Sequence, residues 1–294
     1  MRVEMRSFTM LCFSLAAVPA IAAAQAPVPL PRLAARATHP GVGIKIWAGA
    51  GSLRLVSWTK DSVVVRGRVP RGLRVGLVGD SDVMKIDATD HASRGNLRPT
   101  ELVVYLPLGA RVSVKTVSAS ITGASASGWF YSVSGAIRLT GVASSLEVES
   151  MSGDIDVDVR APWVRARTGD GKLSVRGSID DADLATIGGA LDVGAAGLLR
   201  GQFASVSGNI TFAGAPASGA ILDFSNHSGA LDLVFPANAS ASLTLSSLTG
   251  TIANGFTQVL PTSAPGHTVR LVLGAGDAQI TARSFKGAIR VLRR

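Results

Sequence analysis

Cysteine is almost absent from the sequence, and the single residue, Cys12, lies in a segment typical of a secretory signal peptide. Arg2 and Arg6 form a charged start, the run FTMLCFSLAAVPAIAAA is apolar, and its final Ala-Ala-Ala fits an A-x-A cleavage site. We expect residues 1–24 to be removed on export. The mature chain would then have no thiol, which excludes disulfides, thiolate metal ligands and cysteine nucleophiles.

Long apolar runs and aromatic residues are also scarce. After the signal, no run approaches the roughly 20 apolar residues of a membrane-spanning helix, so we expect no transmembrane segment in the mature chain. Aromatic residues make up 5% of the chain, whereas glycine occurs 33 times. The core must therefore be built from Val, Leu, Ile and Ala around tight backbone positions, a composition that favours short strands and turns.

Catalytic and metal-binding motifs are missing. The four histidines are far apart, with neither H-x-H nor H-E-x-x-H spacing: His39, His91, His227 and His267. The segments GAGS and GDGK lack the strand–loop–helix context of a phosphate loop, and the nine-residue glycine–aspartate calcium repeat is absent. We therefore predict no catalytic residue, no metal site and no cofactor.

Positive charge is in excess, with a formal net charge of +9. The basic residues are scattered, which is typical of a solvated surface. An exported basic protein can meet lipid headgroups or acidic polysaccharide, whereas nucleic acid is not an expected partner outside the cytoplasm.

An internal repeat dominates the rest of the sequence. The octad SVSGAIRL recurs as TVSASITG, SMSGDIDV, TIGGALDV, SVSGNITF, NHSGALDL and SLTGTIAN, with weaker copies TGDGKLSV and AGDAQITA. One marker position in these copies is occupied by Ala119, Gly135, Gly153, Gly171, Gly189, Gly208, Gly229, Gly250 and Ala278. Successive markers are mostly 16 to 21 residues apart, which is the period of a solenoid.

The apolar pattern within a repeat, h-x-h-x-x-h-x-G-x-h-x-h, predicts two short strands that meet at a corner. Alternation within each half indicates a strand, and the change of phase between the halves indicates a bend. The apolar residue at the bend, such as Val133 or Met151, is expected to point inward. The marker glycine is expected because a side chain there would collide with the opposite wall of a narrow coil, or because the backbone needs a positive φ.

A short polar side chain precedes that apolar residue in nearly every copy, and we expect it to bond the neighbouring backbone. These polar residues are Thr116, Ser132, Ser150, Thr168, Thr186, Ser205, Asn226 and Ser247.

The period predicts an all-β fold, a flattened parallel β-solenoid (β-helix-like) of about nine short coils over residues 112–294. Residues 41–111 are strand-rich but off-register, and we predict that they form an N-terminal β cap. Residues 25–40 contain four prolines and are predicted to be an extended linker. The final FKGAIRVLRR repeats the motif, and its terminal arginines, Arg293 and Arg294, are expected to discourage pairing at the far edge.

A signal peptide, GSLRLVSWTKDSVVVRG, LVVYLPLGARVSVKTVSASITG and recurring S-G-x-[IL]-x-[VLF] coils follow one another in this chain. This combination resembles the bacterial β-strand-repeat proteins classed as adhesins, a domain of unknown function. The resemblance covers nearly all of the mature chain. It implies a β-solenoid at the cell envelope or surface, and it supplies no catalytic residues.

The most acidic stretch is GDIDVDV, whose carboxylates share one outward face: Asp154, Asp156 and Asp158. They could bind Ca²⁺ or act as a carboxylate pair in glycoside cleavage. The repeat alignment places Arg138 level with Asp156, Lys172 with Asp154 and Arg176 with Asp158. We therefore predict ion pairs between neighbouring coils.

Trp129 and Trp163 are predicted at coil edges, where an aromatic ring either covers a corner or stacks on a sugar. We expect an exported, non-catalytic solenoid that acts as a structural or adhesive module of the cell envelope. Its partner would be envelope polysaccharide or another envelope protein, and its location the periplasm, the outer surface or the medium. The alternatives are a carbohydrate-active β-helix enzyme that uses residues such as Asp154 and Asp156, and a protein that binds anionic glycan or lipid through surface arginines.

Overall fold

A computed structural model describes residues 30–89, 97–256 and 267–294. The predicted signal peptide, the start of the predicted linker and His91 lie outside these residues. The first twelve strands are β1 (Arg32–Ala37), β2 (Gly43–Ala48), β3 (Ala50–Trp58), β4 (Ser62–Arg68), β5 (Gly76–Gly79), β6 (Val83–Ala88), β7 (Pro99–Pro107), β8 (Arg111–Thr116), β9 (Ser120–Ala124), β10 (Ser127–Ser132), β11 (Ile137–Val142) and β12 (Leu146–Ser150). The others are β13 (Ile155–Thr168), β14 (Leu173–Thr186), β15 (Leu191–Ala196), β16 (Arg200–Ser205), β17 (Ile210–Ala213), β18 (Ile221–Asn226), β19 (Leu231–Phe235), β20 (Ala241–Ser247), β21 (Ile252–Asn254), β22 (His267–Leu273), β23 (Ala278–Ser284) and β24 (Ile289–Arg293).

These strands form one continuous sheet wound into a stack with two faces. Face A contains, in spatial order, the parallel strands β6, β2, β8, β10, β12, β13, β14, β16, β18, β23 and β20. Face B contains β7, β3, β9, β11, β13, β14, β15, β17, β19, β24 and β21. The long strands β13 and β14 run from face B onto face A, so each appears in both orders. The predicted all-β, solenoid-like fold is confirmed.

Alternation within each strand places the core between the two faces. In β8, for example, Val112 and Val114 are buried while Arg111 and Lys115 are exposed. Towards the C-terminal half, phenylalanines from both faces contact one another across the core, with ring centroids 4.7 to 6.1 Å apart. These are Phe203 and Phe224 on face A, and Phe212 and Phe235 on face B.

Antiparallel strands lie beyond the parallel ladders. β4 pairs with β7 and β1 with β4, while β5 pairs with β6 and β22 with β20. The linker predicted over residues 25–40 therefore contains a strand, because Arg32–Ala37 pair with β4. Prolines flank this strand rather than interrupt it, so its backbone N–H groups remain available for pairing.

One coil at each end of the stack is out of sequence order. Strands β2 and β3 lie between β6/β7 and β8/β9, and β23 and β24 lie between β18/β19 and β20/β21. The expectation that the C-terminal repeat ends the stack is therefore wrong. The antiparallel β22 lies against the outer side of β20, and the chain then returns to form the coil inside it.

The marker glycines lie in one column along the stack. An added Cβ at each would fall far inside contact distance of the backbone carbonyl oxygen of the equivalent residue one coil away. The expected collision with the opposite wall is wrong, and none of these glycines has a positive φ. The column consists of Gly135, Gly153, Gly171, Gly189, Gly208, Gly229, Gly287 and Gly250.

Gly287, and not Ala278, is the marker of the C-terminal coil. Ala278 begins β23 and pairs with Ala241, whereas Gly287 follows the corner and lies between Gly229 and Gly250. The segment AGDAQITA has the alternation of a repeat but no corner, and SFKGAIRV is the true copy.

The polar residues of the corners are buried, and several of them accept a hydrogen bond from the marker glycine. The N–H of Gly135 donates to Ser132 Oγ at 2.8 Å, and that of Gly153 donates to Ser150 Oγ at 2.8 Å. These hydroxyls stabilise the corner conformation. Their role in the stack is structural.

Candidate functional site

The apolar residue at most corners points into solvent and not into the core. Exposed fractions of these residues range from 42% at Val117 to 59% at Ile187, while Val133 is half-buried. The expectation that this position points inward is therefore wrong. Backbone hydrogen bonds to the neighbouring coil hold the corner in an orientation that turns this side chain outward; for example, the Met151 N–H donates to the Ser132 carbonyl at 3.2 Å. We call this column the corner ridge: Val117, Val133, Met151, Gly169, Ile187, Val206, His227, Phe285 and Leu248.

The acidic stretch lies on the outer surface of face B, and the predicted register is present. Arg138 lies opposite Asp156, and its Nε is 3.2 Å from an Asp156 oxygen. Arg176 lies opposite Asp158 but its guanidinium contacts Asp156 at 2.6 Å, because the long side chain reaches across to the adjacent outward position.

Lys172 lies level with Asp154, but the contacts differ from those predicted. Its backbone N–H donates to Asp154 Oδ1 at 2.8 Å, whereas its ammonium pairs with Asp192 at 2.6 Å and that hydrogen bond raises the pKa of Lys172. Within the described ranges, no three His, Cys, Asp or Glu residues lie close enough to hold a metal ion.

An aromatic cluster around a lysine lies on the outer surface of face A. Trp47 on β2, Lys115 on β8 and Tyr131 on β10 are in register on three adjacent strands, and Trp129 is two residues before Tyr131. The Lys115 ammonium is 5.7 Å from the Trp129 ring and 5.9 Å from both the Trp47 and the Tyr131 rings. We call Trp47, Lys115, Trp129 and Tyr131 the aromatic–lysine cluster.

Ring geometry and exposure make this cluster a stacking surface. Trp129 and Tyr131 stack with centroids 5.7 Å apart and planes at 15°. Trp47 is 51% exposed. The lysine between these rings makes cation–π contacts, which are worth about 0.5–1 kcal/mol each at exposed sites.

Two further lysines extend the positive charge beside the cluster. Lys45 and Lys85 are paired in register on β2 and β6, are exposed, and line a depression of about 310 Å³ with Trp47. In the part of the chain that the structure describes, neither of them nor Lys115 forms an ion pair. Among the described residues that line this depression, Asp87 is the one carboxylate.

Sequence reasoning found Trp129 but missed its neighbours, because Trp47 lies in a segment that precedes the repeats. Its place beside Lys115 depends on the out-of-order coil formed by β2. The other tryptophan candidate, Trp163, lies apart on β13, opposite Asp181, and is 37% exposed.

A groove of about 780 Å³ runs along the stack beside the cluster. Tyr131, Glu149 and Arg167 line its beginning, Ala185, Ala204 and Ser225 form its floor, and part of the corner ridge forms one wall. We call this depression the axial groove. The ridge residues of its wall are Met151, Ile187 and Val206.

In the part of the chain that the structure describes, no helix is long and apolar enough to cross a membrane. The family model described as Toastrack DUF4097 matches residues 74–292. No curated protein matches the chain.

Similar solved structures come from bacteria and share little sequence with the chain. A proposed lipid-binding protein from Parabacteroides distasonis is 15% identical, with a TM-score of 0.48, over 88% of this chain and 96% of that one. A proposed adhesin from Parabacteroides merdae is 9% identical, with a TM-score of 0.46, over 90% and 97%. A proposed adhesin from Bacteroides fragilis is 13% identical, with a TM-score of 0.45, over 89% and 95%.

Proposed function

Because the chain belongs to the Toastrack DUF4097 family, a domain of unknown function, we propose its role from its own surface. The protein is an exported, non-catalytic module of the bacterial cell envelope, and it binds anionic glycan at the aromatic–lysine cluster. The single observation that carries this proposal is the placement of one lysine among three aromatic rings on a flat sheet face.

The chemistry of the cluster matches an acidic sugar polymer. Aromatic rings offer flat apolar surfaces to the C–H faces of sugars, and Trp47 and Tyr131 are two strands, or about 10 Å, apart. Lys115, Lys45 and Lys85 supply positive charge for carboxylate or sulfate groups. A chain of sugars lying across the strands would contact both features.

The surface beside the aromatic rings carries free positive charge in Lys115, Lys45 and Lys85. Among the described residues of the coils, seven arginines are paired with carboxylates of the same or a neighbouring coil, whereas others, such as Arg54, Arg111 and Arg160, form no ion pair. The paired arginines are Arg138, Arg165, Arg167, Arg176, Arg200, Arg283 and Arg290. An anionic ligand would have to displace these carboxylates, whereas the three lysines are available without that cost.

The acidic stretch favours binding over the alternative of a carbohydrate-active enzyme. Asp156 lies between Arg138 and Arg176, and Asp154 accepts a backbone N–H. Both carboxylates therefore have partners that belong to the solenoid itself. A glycosidase needs one carboxyl group that is free to donate a proton.

We also propose how the solenoid is built and closed. The parallel pairings support nine coils over residues 111–294, with two more contributed by residues 43–107. The antiparallel strands β4 and β5, which lie in the predicted cap, and β1, which lies in the predicted linker, would then cover the N-terminal end, and β22 would cover the other end. Export through the predicted signal over residues 1–24 is part of the same proposal.

Binding to an acidic and a neutral polysaccharide tests the function. We expect the mature chain to bind polygalacturonate and to ignore dextran, with affinity that falls as salt rises. Trp129→Ala and Lys115→Ala should each weaken binding by about five- to tenfold, the loss expected for one ring or cation contact of about 1 kcal/mol.

Trp163→Ala is the matched control, because it removes an exposed tryptophan from the same face but outside the cluster. Equal binding to both polysaccharides, or equal losses in Trp129→Ala and Trp163→Ala, would contradict the proposal. Circular dichroism and thermal unfolding establish that each variant remains folded.

A further inference from the structure

The axial groove begins inside the aromatic–lysine cluster. Tyr131 stacks on Trp129 and also lines the groove. From this continuity we propose that the groove holds an acyl chain, so that the ligand is an anionic glycolipid whose head lies on the cluster. The inference rests on the function proposed above and adds the chemical class of the ligand.

The floor of the groove is unobstructed. Along face A the outward row from Arg167 continues through three small residues and ends at Arg283. Four strand spacings separate these arginines, about 19 Å in all. One leaflet of a bilayer holds chains that span about 15 Å, so a single acyl chain fits between them. The floor residues are Ala185, Ala204 and Ser225.

The wall of the groove is apolar and open to solvent. Met151, Ile187 and Val206 are 58%, 59% and 50% exposed. Contiguous exposed apolar side chains of this kind mark surfaces that contact an apolar partner. The volume of about 780 Å³ lies within the range of small-molecule sites, which combine mostly apolar linings with a few polar groups.

Two of the three charged residues that line the groove lie at the end that meets the cluster, and the third, Asp170, lies beside the ridge. Glu149 and Arg167 are in register on adjacent strands between Tyr131 and the small floor residues. Arg167 is exposed and is oriented by Asp183 at 3.2 Å. The hydroxyl groups of a sugar head would meet these side chains, its acidic group would lie beside Lys115, and the acyl chain beyond them would meet the floor and the ridge.

Matched small probes separate the head from the chain. We expect octyl glucuronide, below its micelle concentration, to bind at least about tenfold more tightly than methyl glucuronide, the gain that two fully buried methylene groups provide. Octyl glucoside, which lacks the acid, should bind more weakly than octyl glucuronide. Isothermal titration calorimetry measures all three.

Ala204→Gln fills the floor with a neutral side chain, and Ala196→Gln makes the same change at an exposed position on face B. Ala204→Gln should abolish the preference for the octyl probe and leave methyl glucuronide and polygalacturonate binding unchanged. Ala196→Gln should change neither.

The outcomes distinguish the two proposals. If the octyl preference is absent, or survives Ala204→Gln, the glycolipid inference is overturned while polysaccharide binding at the cluster stands. If Trp129→Ala leaves polygalacturonate binding intact, the function proposed above is contradicted, and the glycolipid inference that rests on it is overturned with it. A dimer in light scattering that Ala204→Gln dissociates would show that a second copy fills the groove, and would also overturn the inference.

Discussion

At the scale of single residues, the marker glycines are required by backbone and not by side-chain packing. Where a side chain opposes a side chain, neighbours can adjust; a carbonyl oxygen held in a parallel ladder cannot. At the marker glycines, even the methyl side chain of alanine is therefore excluded. Sequence reasoning identified the column because its spacing is regular, but assigned the collision to the opposite wall because a sequence does not show which atoms meet.

Gly208→Ala should lower the free energy of unfolding by about 1–3 kcal/mol or more, the range for overpacking a rigid site. Its Cβ would meet the Gly189 carbonyl oxygen. Gly194→Ala is the control, because its Cβ meets only the Arg176 side chain, at 3.4 Å. We expect a change within about 0.5 kcal/mol for the control. Urea unfolding measures both, and similar losses in the two variants would refute this account.

At the scale of strands and coils, lateral register was predictable, and side-chain pairing was predictable only in part. Arg138 lies opposite Asp156 as the alignment predicts, since equal spacing from the marker places residues level. Arg176 and Lys172 nevertheless contact other carboxylates than those level with them, because long side chains reach several positions. The exposed corner ridge escaped prediction for a related reason: at a corner, alternation no longer reports which way a side chain points.

Among the described residues, two ion pairs join the out-of-order C-terminal coil to its neighbour: Arg283 with Asp223, and Arg290 with Asp232. Arg290 on β24 contacts Asp232 on β19 through two nitrogens, at 2.5 and 2.6 Å, and this hydrogen bonding raises the pKa of Arg290. Bidentate geometry of this kind is the form in which a surface pair contributes measurably.

Asp232→Ala should therefore destabilise the protein by up to about 1 kcal/mol at low salt, and by less as salt rises. Asp156→Ala, which removes single-nitrogen contacts with Arg138 and Arg176, should cost less than Asp232→Ala. Thermal unfolding at two salt concentrations compares them. A larger loss in Asp156→Ala would show that geometry does not set the strength of these pairs.

At the scale of the whole molecule, the order of the coils is the feature that the sequence conceals. Repeats of similar sequence are compatible with any order of stacking, and only the antiparallel strands at the ends determine which repeat lies outermost. The same ambiguity hid the aromatic–lysine cluster, whose two halves meet through the out-of-order coil of β2 and β3.

Truncation tests this order. Removing residues 278–294 takes away a coil that lies between β18/β19 and β20/β21, so the outer strands lose their partners. We expect residues 236–256 and 267–277 to become sensitive to limited proteolysis while residues 111–235 stay protected. If residues 236–256 remained protected in the truncated chain, β20 and β21 would have to stack directly on β18 and β19, contrary to the structure.

The position of β24 also determines how the molecule bears tension. A strand at the end of a stack can be peeled off one hydrogen bond at a time, but β24 is bonded on one side to β19 and on the other to β21. A pull on Arg294 along this strand must shear two ladders together. A protein that anchors a cell surface to its surroundings would gain mechanical resistance from such an arrangement without any covalent cross-link.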